Sequence, residues 1–303
     1  MSAMPGQQHA AHVAVPVESD PALAAKAAAR RAGVRVRELT DLADLRAAYE
    51  LYAGIWRPDP LNPPVTTDLL RAFVKAENYV AGAFDGNDLV GACVAFFSAP
   101  ADGALHSHIA GVSASARGRN VGFALKLHQR AWALAHGLST IMWTFDPLVA
   151  RNAHFNLNKL AARCTEYLPN FYGSMYDGIN GTDESDRVFV RWQLGAPEVV
   201  AACMGRTNPM EAAAARASGA DLALGISEFG HPVRGRIDSE TCLVAVPTDI
   251  EALRDRDPAE ATRWRHALRD VLGTLLTGGS TVVGFDRAGW YLTTRPCAAE
   301  DQP

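Results

Sequence analysis

The chain lacks any long apolar run. Hydrophobic residues make up 48% of its 303 positions, yet none of their clusters approaches the roughly 20 residues that a membrane-spanning helix requires. The first residues hold no continuous apolar segment of the secretory type, so a cytoplasmic protein with no membrane partner is expected. Cysteine is sparse and scattered: Cys93, Cys164, Cys203, Cys242 and Cys297 show no Cys-x-x-Cys spacing. An odd count of this kind argues against a closed disulfide framework and for reduced thiols. A basic surplus is missing too, because 29 Lys and Arg face 33 Asp and Glu for a formal net charge of −4. Without a Lys/Arg tail, nucleic acid is excluded as the main partner and a small molecule is expected instead. No metal is expected either.

The apolar content that is present suffices for one large core or two modest ones. Residues 1–33 read as an N-terminal arm outside the fold: the first 20 have little periodicity, and "PALAAKAAARRAG" is Ala-rich enough to be helical only if docked. Residues 34–39 alternate as a strand, and Leu42, Leu45, Tyr49, Tyr52 and Trp56 follow at helical spacing. Thr66 or Thr67 can cap a second helix, and residues 79–98 read as a hairpin around Asp85-Gly86-Asn87-Asp88. Strands are expected at 104–113, 139–145 and 187–194, with helices after Asn120 and near Arg151. The stretch between Thr165 and Asp186 reads as an irregular, tyrosine-rich loop. Beyond residue 195 a helix is expected over "PMEAAAARA", then a Gly-rich connection and a β-α-β-β pattern with its helix from Pro258 to about Thr277.

One turn carries the chemistry. In "ARGRNVGFALK", Gly118 and Gly122 remove side-chain bulk, Asn120 tolerates a left-handed backbone, and Arg117 and Arg119 add charge. A helix start of this make-up, from Arg117 through Val121 to Gly122, offers free backbone N–H groups and a positive dipole end, which suits a diphosphate.

The element order together with this turn resembles the GNAT superfamily of acyl-CoA-dependent N-acyltransferases. Arg117, Asn120 and Gly122 occupy the defined positions of its (Gln/Arg)-x-x-Gly-x-(Gly/Ala) pyrophosphate pattern, with Asn120 in place of the first glycine. "RNAHFNLNKLAA" matches a second superfamily pattern at Asn152, Lys159 and Leu160, while Leu157 stands where the usual tyrosine would be. The stretch from Trp143 to Gly173, with the C-terminal extension, looks like a bacterial subgroup of which some members accompany N-succinylamino-acid racemases or o-succinylbenzoate synthases.

The resemblance implies an α/β (α+β) fold: a GNAT-type mixed, mostly antiparallel sheet flanked by helices over residues 34–195, with a β-α-β-β extension over 196–303 packed on it. It implies acetyl-CoA or succinyl-CoA as co-substrate. It also implies a thioester between the fourth and fifth strands, facing the backbone of Ala110 to Val112 with Val112 foremost, and Asn152 and Asn158 near the CoA arm.

Transfer to an amine needs a base for the amine proton and an acid for the departing thiolate. His106 and His108 share one strand face by the two-residue repeat, and either can accept a proton; Asp146 can do so after the fifth strand or hold an ammonium group. Tyr172 or Tyr176 can protonate the thiolate. Arg265 and Arg269, one helical turn apart, can jointly hold a substrate carboxylate. The expected acceptor is a small-molecule amine or amino acid. A homodimer, a non-catalytic acyl-CoA-binding regulatory module and a protein or peptide N-acyltransferase are the open alternatives.

Overall fold

The computed structural model describes residues 20–59, 63–173, 183–207 and 210–295. The first helix is α1 (Pro21–Arg31), started by Pro21 and by the Asp20 carboxylate, which accepts from the Ala22 N–H. Strand β1 (Arg35–Glu38) leads to α2 (Leu42–Trp56), capped by Asp41, and α3 (Thr67–Lys75), capped by Thr66. The hairpin β2 (Tyr79–Asp85) and β3 (Asp88–Phe97) then runs into β4 (Ala104–Val112), α4 (Val121–Ala135) and β5 (Thr140–Phe145). After α5 (Ala150–Ala153) and a π-helical turn His154–Lys159 come β6 (Arg163–Leu168) and β7 (Arg187–Gln193).

These strands form one seven-stranded sheet in the order β1-β2-β3-β4-β5-β7-β6. Every neighbouring pair is antiparallel except β4 and β5, which run parallel. The mixed, mostly antiparallel sheet flanked by helices is therefore the architecture expected from the sequence.

Two expectations are corrected. Residues 21–33 do not lie outside the fold: Ala25, Ala28 and Ala32 are buried in the main core with Ala124 of α4. Alanines three and four apart give α1 a flat small-residue face, so a weakly amphipathic segment docks closely. Between Thr165 and Asp186, strand β6 begins the segment that reads as a loop; its alternation is broken by a register shift between Cys164 and Glu166, which hides the period of two.

The C-terminal portion is richer than β-α-β-β. It holds α6 (Pro197–Cys203), α7 (Ala212–Ala217), β8 (Asp221–Ile226), β9 (Pro232–Arg234), β10 (Thr241–Ala245), α8 (Ile250–Arg256) and α9 (Pro258–Leu268). A π-helical turn Arg269–Gly273 and α10 (Thr274–Thr277) complete the long helix, before β11 (Thr281–Asp286) and β12 (Trp290–Thr294). Its strands make a second, five-stranded sheet, β11-β12-β10-β8-β9. One hydrophobic cluster runs through both portions, joining Leu148 and Tyr167 to Trp264, Leu268 and Tyr291, and the Tyr291 hydroxyl donates to the Pro147 carbonyl at 2.7 Å.

Candidate functional site

Strands β4 and β5 pair only at their starts, Ala104 with Thr140, Leu105 with Ile141 and His106 with Met142. Beyond that register they separate into a wedge. On its other edge β4 also slips: Val94 faces Ile109 and Ala95 faces Ser107, so His108 has no partner opposite it. A cavity of about 220 Å³ fills the wedge, lined from β4 by Ser107, His108 and Ala110 to Val112, from β5 by Trp143 to Phe145, and from the helices by Gly122, Lys126, Asn152 and Asn156 among others. A second cavity, of about 250 Å³, lies at the opposite end of α4 against Trp132 and His136.

The wedge leads to the start of α4. Gly118 and Asn120 both take left-handed backbones, at φ 79° and 62°, and Asn120 is the N-cap residue without a side-chain cap bond to the helix. The first N–H groups of a 15-residue helix are thereby left to a ligand. Asparagine is among the residues that tolerate the left-handed region, so its presence where the pattern has glycine preserves the turn. The Asn120 Oδ1 accepts from Lys159 Nζ at 2.7 Å, a contact that sequence spacing could not reveal.

Around this turn the expected ligands separate into two groups. Val112 and Gly122 line the cavity within reach of each other, since a Cβ on Gly122 would lie 3.8 Å from the Val112 side chain. Arg117 and Gly118 are exposed, while the Val121 side chain is buried in the core and only its backbone belongs to the helix start. Arg119 is engaged elsewhere: it pairs with Asp85 at 2.7 Å and donates to the carbonyls of Ala32 and Gly33. It ties α1 and the β2–β3 hairpin to the turn. Asn152 lines the cavity from within α5, whose N-cap is Val149. Asn158 instead donates to the Phe285 carbonyl at 2.8 Å, fastening the π-helical turn to β11 rather than facing the cavity.

The expected proton carriers are similarly divided. His108 lines the wedge, and its ring and that of His106 lie 6.4 Å apart over Phe96, on one face as the strand period predicts. Loss of water pushes both imidazoles down, His106 to about 4 with help from His108 and Lys126; a bond to the Pro64 backbone opposes the shift at His108. Both are neutral imidazoles at neutral pH. The Tyr172 hydroxyl lies 3.1 Å from Thr144 Oγ1, at the rim of the cavity, with 44% of the residue exposed. Tyr176 lies outside the described residues.

Asp146, by contrast, is buried in an ion-pair cluster. Its carboxylate takes Arg265 at 2.7 and 2.9 Å and Arg254 at 2.6 Å, and Asp183 accepts from the same two guanidinium groups at 2.8 and 3.1 Å. Burial alone would raise the Asp146 carboxyl, but Arg265 and Arg254 hold it well below the usual carboxylate range. It is thus neither a proton acceptor near neutral pH nor free to hold an ammonium group. The same contacts correct the expectation for Arg265 and Arg269. Arg265 is 1% exposed at its side chain, and Arg269 binds Asp186 at 2.5 and 2.9 Å and also Glu184. Both do bind carboxylates, but those of this chain, which neutralise them before any substrate arrives.

One residue of the site escaped the sequence reading. Lys126 is the only buried lysine among the described residues, 4% exposed, and it lines the cavity. Its Nζ donates to Gln129 Oε1 at 2.7 Å and Ser107 Oγ at 3.1 Å and sits 3.9 Å from the centre of the Trp143 ring. Burial pushes its ammonium down to about 8. On the sequence it is one of several polar residues in an amphipathic helix; only the closure of α4 onto β4 and β5 buries it.

No family model matches the chain, and no curated protein matches it. Among solved structures it is similar to an N-acetyltransferase from Staphylococcus aureus Mu50 at 20% identity and a TM-score of 0.44, covering 53% of this chain and 98% of that one. It is also similar to the ribosomal-protein-S18-alanine N-acetyltransferase from Escherichia coli, at 12% identity and a TM-score of 0.44 over 54% and 95% of the two chains. An acetyltransferase of the GNAT family from Streptococcus pneumoniae matches at 13% identity and a TM-score of 0.43 over 52% and 97%.

Proposed function

We propose that the chain is an acyl-CoA-dependent N-acyltransferase that moves an acetyl, succinyl or similar acyl group to a primary amine, with an amino acid or small amine as acceptor. The observation that carries this reading is the wedge between β4 and β5, which joins a cavity to the uncapped start of α4. An elongated ligand with a phosphate at one end and a reactive group at the other suits that shape. The pyrophosphate of CoA would take the N–H groups at Val121 and Gly122 and the charge of Arg117, leaving the pantetheine arm beside Val112 and Asn152 and the thioester in the wedge.

In the reaction, a neutral amine attacks the thioester carbonyl carbon, the C–N bond forms and the C–S bond breaks. The amine loses one proton and the thiolate gains one. His108, neutral and on the cavity wall, takes the amine proton directly or through water; Tyr172, whose hydroxyl meets Thr144 at the rim, is the acid for the thiolate. Free-thiol release from acetyl-, succinyl- and longer acyl-CoAs, measured against a panel of amines, tests the reading. Turnover with at least one pair is expected. Tight CoA binding without turnover against any amine would show a non-catalytic acyl-CoA-binding module instead.

A further inference from the structure

Lys126 is a cation to which no acidic side chain among the described residues supplies a counter-charge. Its hydrogen-bond partners, Ser107 and Gln129, are neutral, and a tryptophan face covers it. Among the described residues nothing acidic lines the cavity: its polar wall consists of Ser107, His108, Lys126, Thr144, Asn152 and Asn156. Burying an ammonium group without a carboxylate is unfavourable, and an anion from a ligand would offset that cost.

Position and donor geometry narrow the choice of anion. Ser107 comes directly after His106, the last β4 residue paired with β5, so Ser107 and Lys126 form the closed end of the wedge. Ala110 to Val112 lie nearer its mouth and the start of α4. A group deeper in the wedge than the reacting carbonyl meets the far end of the acyl chain, whereas the phosphates stay at the mouth. Ser107 Oγ accepts from Lys126, which leaves its own proton for donation; its nearest other partner is the Cys93 sulfur at 3.9 Å. A serine hydroxyl polarised by an ammonium is a strong donor to a carboxylate.

We infer that Ser107 and Lys126 form a subsite for a carboxylate at the end of the acyl chain, so that the preferred donor is a dicarboxylic monothioester of CoA. This inference rests on the acyl-CoA reading above. Calorimetric binding of succinyl-CoA and acetyl-CoA to the full chain tests it without need of the acceptor. Wild type should bind succinyl-CoA at least about tenfold more tightly, and Lys126→Met should bring the ratio of the two affinities close to one. Ser107→Ala, a smaller change that keeps the ammonium, should lower the ratio partway and serves should Lys126→Met fail to fold. Equal affinities in wild type, or a parallel loss of both thioesters in the variants, would overturn the subsite alone. Failure of wild type to bind either thioester would overturn the acyl-CoA reading, and the subsite with it.

Discussion

Lys126 shows how one residue sets stability and chemistry against each other. A lysine whose folded value, about 8, lies below its ordinary 10.5 binds fewer protons folded than unfolded between those limits. Stability therefore rises with pH across that window, and below it the charged form carries its full penalty. Lys126→Met, which fills the site with a chain of similar length, is expected to stabilise the protein by about 2 kcal/mol at pH 7. Denaturant melts compared at pH 7 and pH 10.5 should show the gain shrinking at the higher pH; a pH-independent difference would point to packing alone. At the mouth of the wedge, Asn120 holds φ 62°, which a β-branched side chain resists. Asn120→Val should cost about 1–2 kcal/mol and weaken CoA binding, whereas Asn120→Gly should keep the turn. Calorimetry on both variants checks this.

At the scale of elements, the wedge depends on what flanks β4. A Cβ on Gly111 would come within 2.7 Å of Ile55 and 2.8 Å of Trp56, so α2 can lie on β4 only because this position is bare. Gly111→Ala should push α2 outward at about 1–3 kcal/mol of stability and disturb the cavity wall formed by Ala110 and Val112; thermal melting together with acyl-CoA affinity would register both. The slip that leaves His108 unpaired belongs to the same strand. His108→Gln, close in size and incapable of accepting the amine proton as a base, should lower kcat by about 100-fold with a much smaller change in KM. Loss in KM alone would mean that the imidazole only shapes the wall. The strand pattern was legible here: alternation located β4, and the two-residue period placed His106 and His108 together. The break in pairing was not, because a register slip arises from how β3 and β5 each grip β4.

For the whole molecule, the buried cluster of Asp146, Asp183, Arg254 and Arg265 joins the two sheets' portions of the chain. Arg151 adds an ion pair to Glu251 from the same side. Arg265→Ala would strip Asp146 and Asp183, both buried, of a shared guanidinium and leave Arg254 still paired with each, a loss of about 3–5 kcal/mol. Chemical denaturation should reveal it as a lower midpoint. The linkage has a definite sign. Because Asp146 is depressed in the folded state, its contribution is fully present above the ordinary carboxylate value and is lost as the pH falls below it. Wild type should therefore lose stability steeply in acid, and Arg265→Ala less steeply.

The sequence by itself determined the order of elements from β1 through β5, the turn from Arg117 to Gly122 and the face shared by the two histidines. Each of these rests on local rules: hydrophobic period, capping residues and the backbone freedom of Gly and Asn. Tertiary structure decided which charges remain available. Arg119, Arg265 and Arg269 read as ligands for anions, yet Asp85, Asp146, Asp183, Asp186 and Glu184 reach them from distant parts of the chain and neutralise them. Lys126 carried no signal in the sequence, yet the closure of α4 over the wedge buried it beside neutral partners. Charge pairing depends on separations through space, which spacing along the chain does not encode. The same spacing therefore named the helix that opens the site and missed the cation at its closed end.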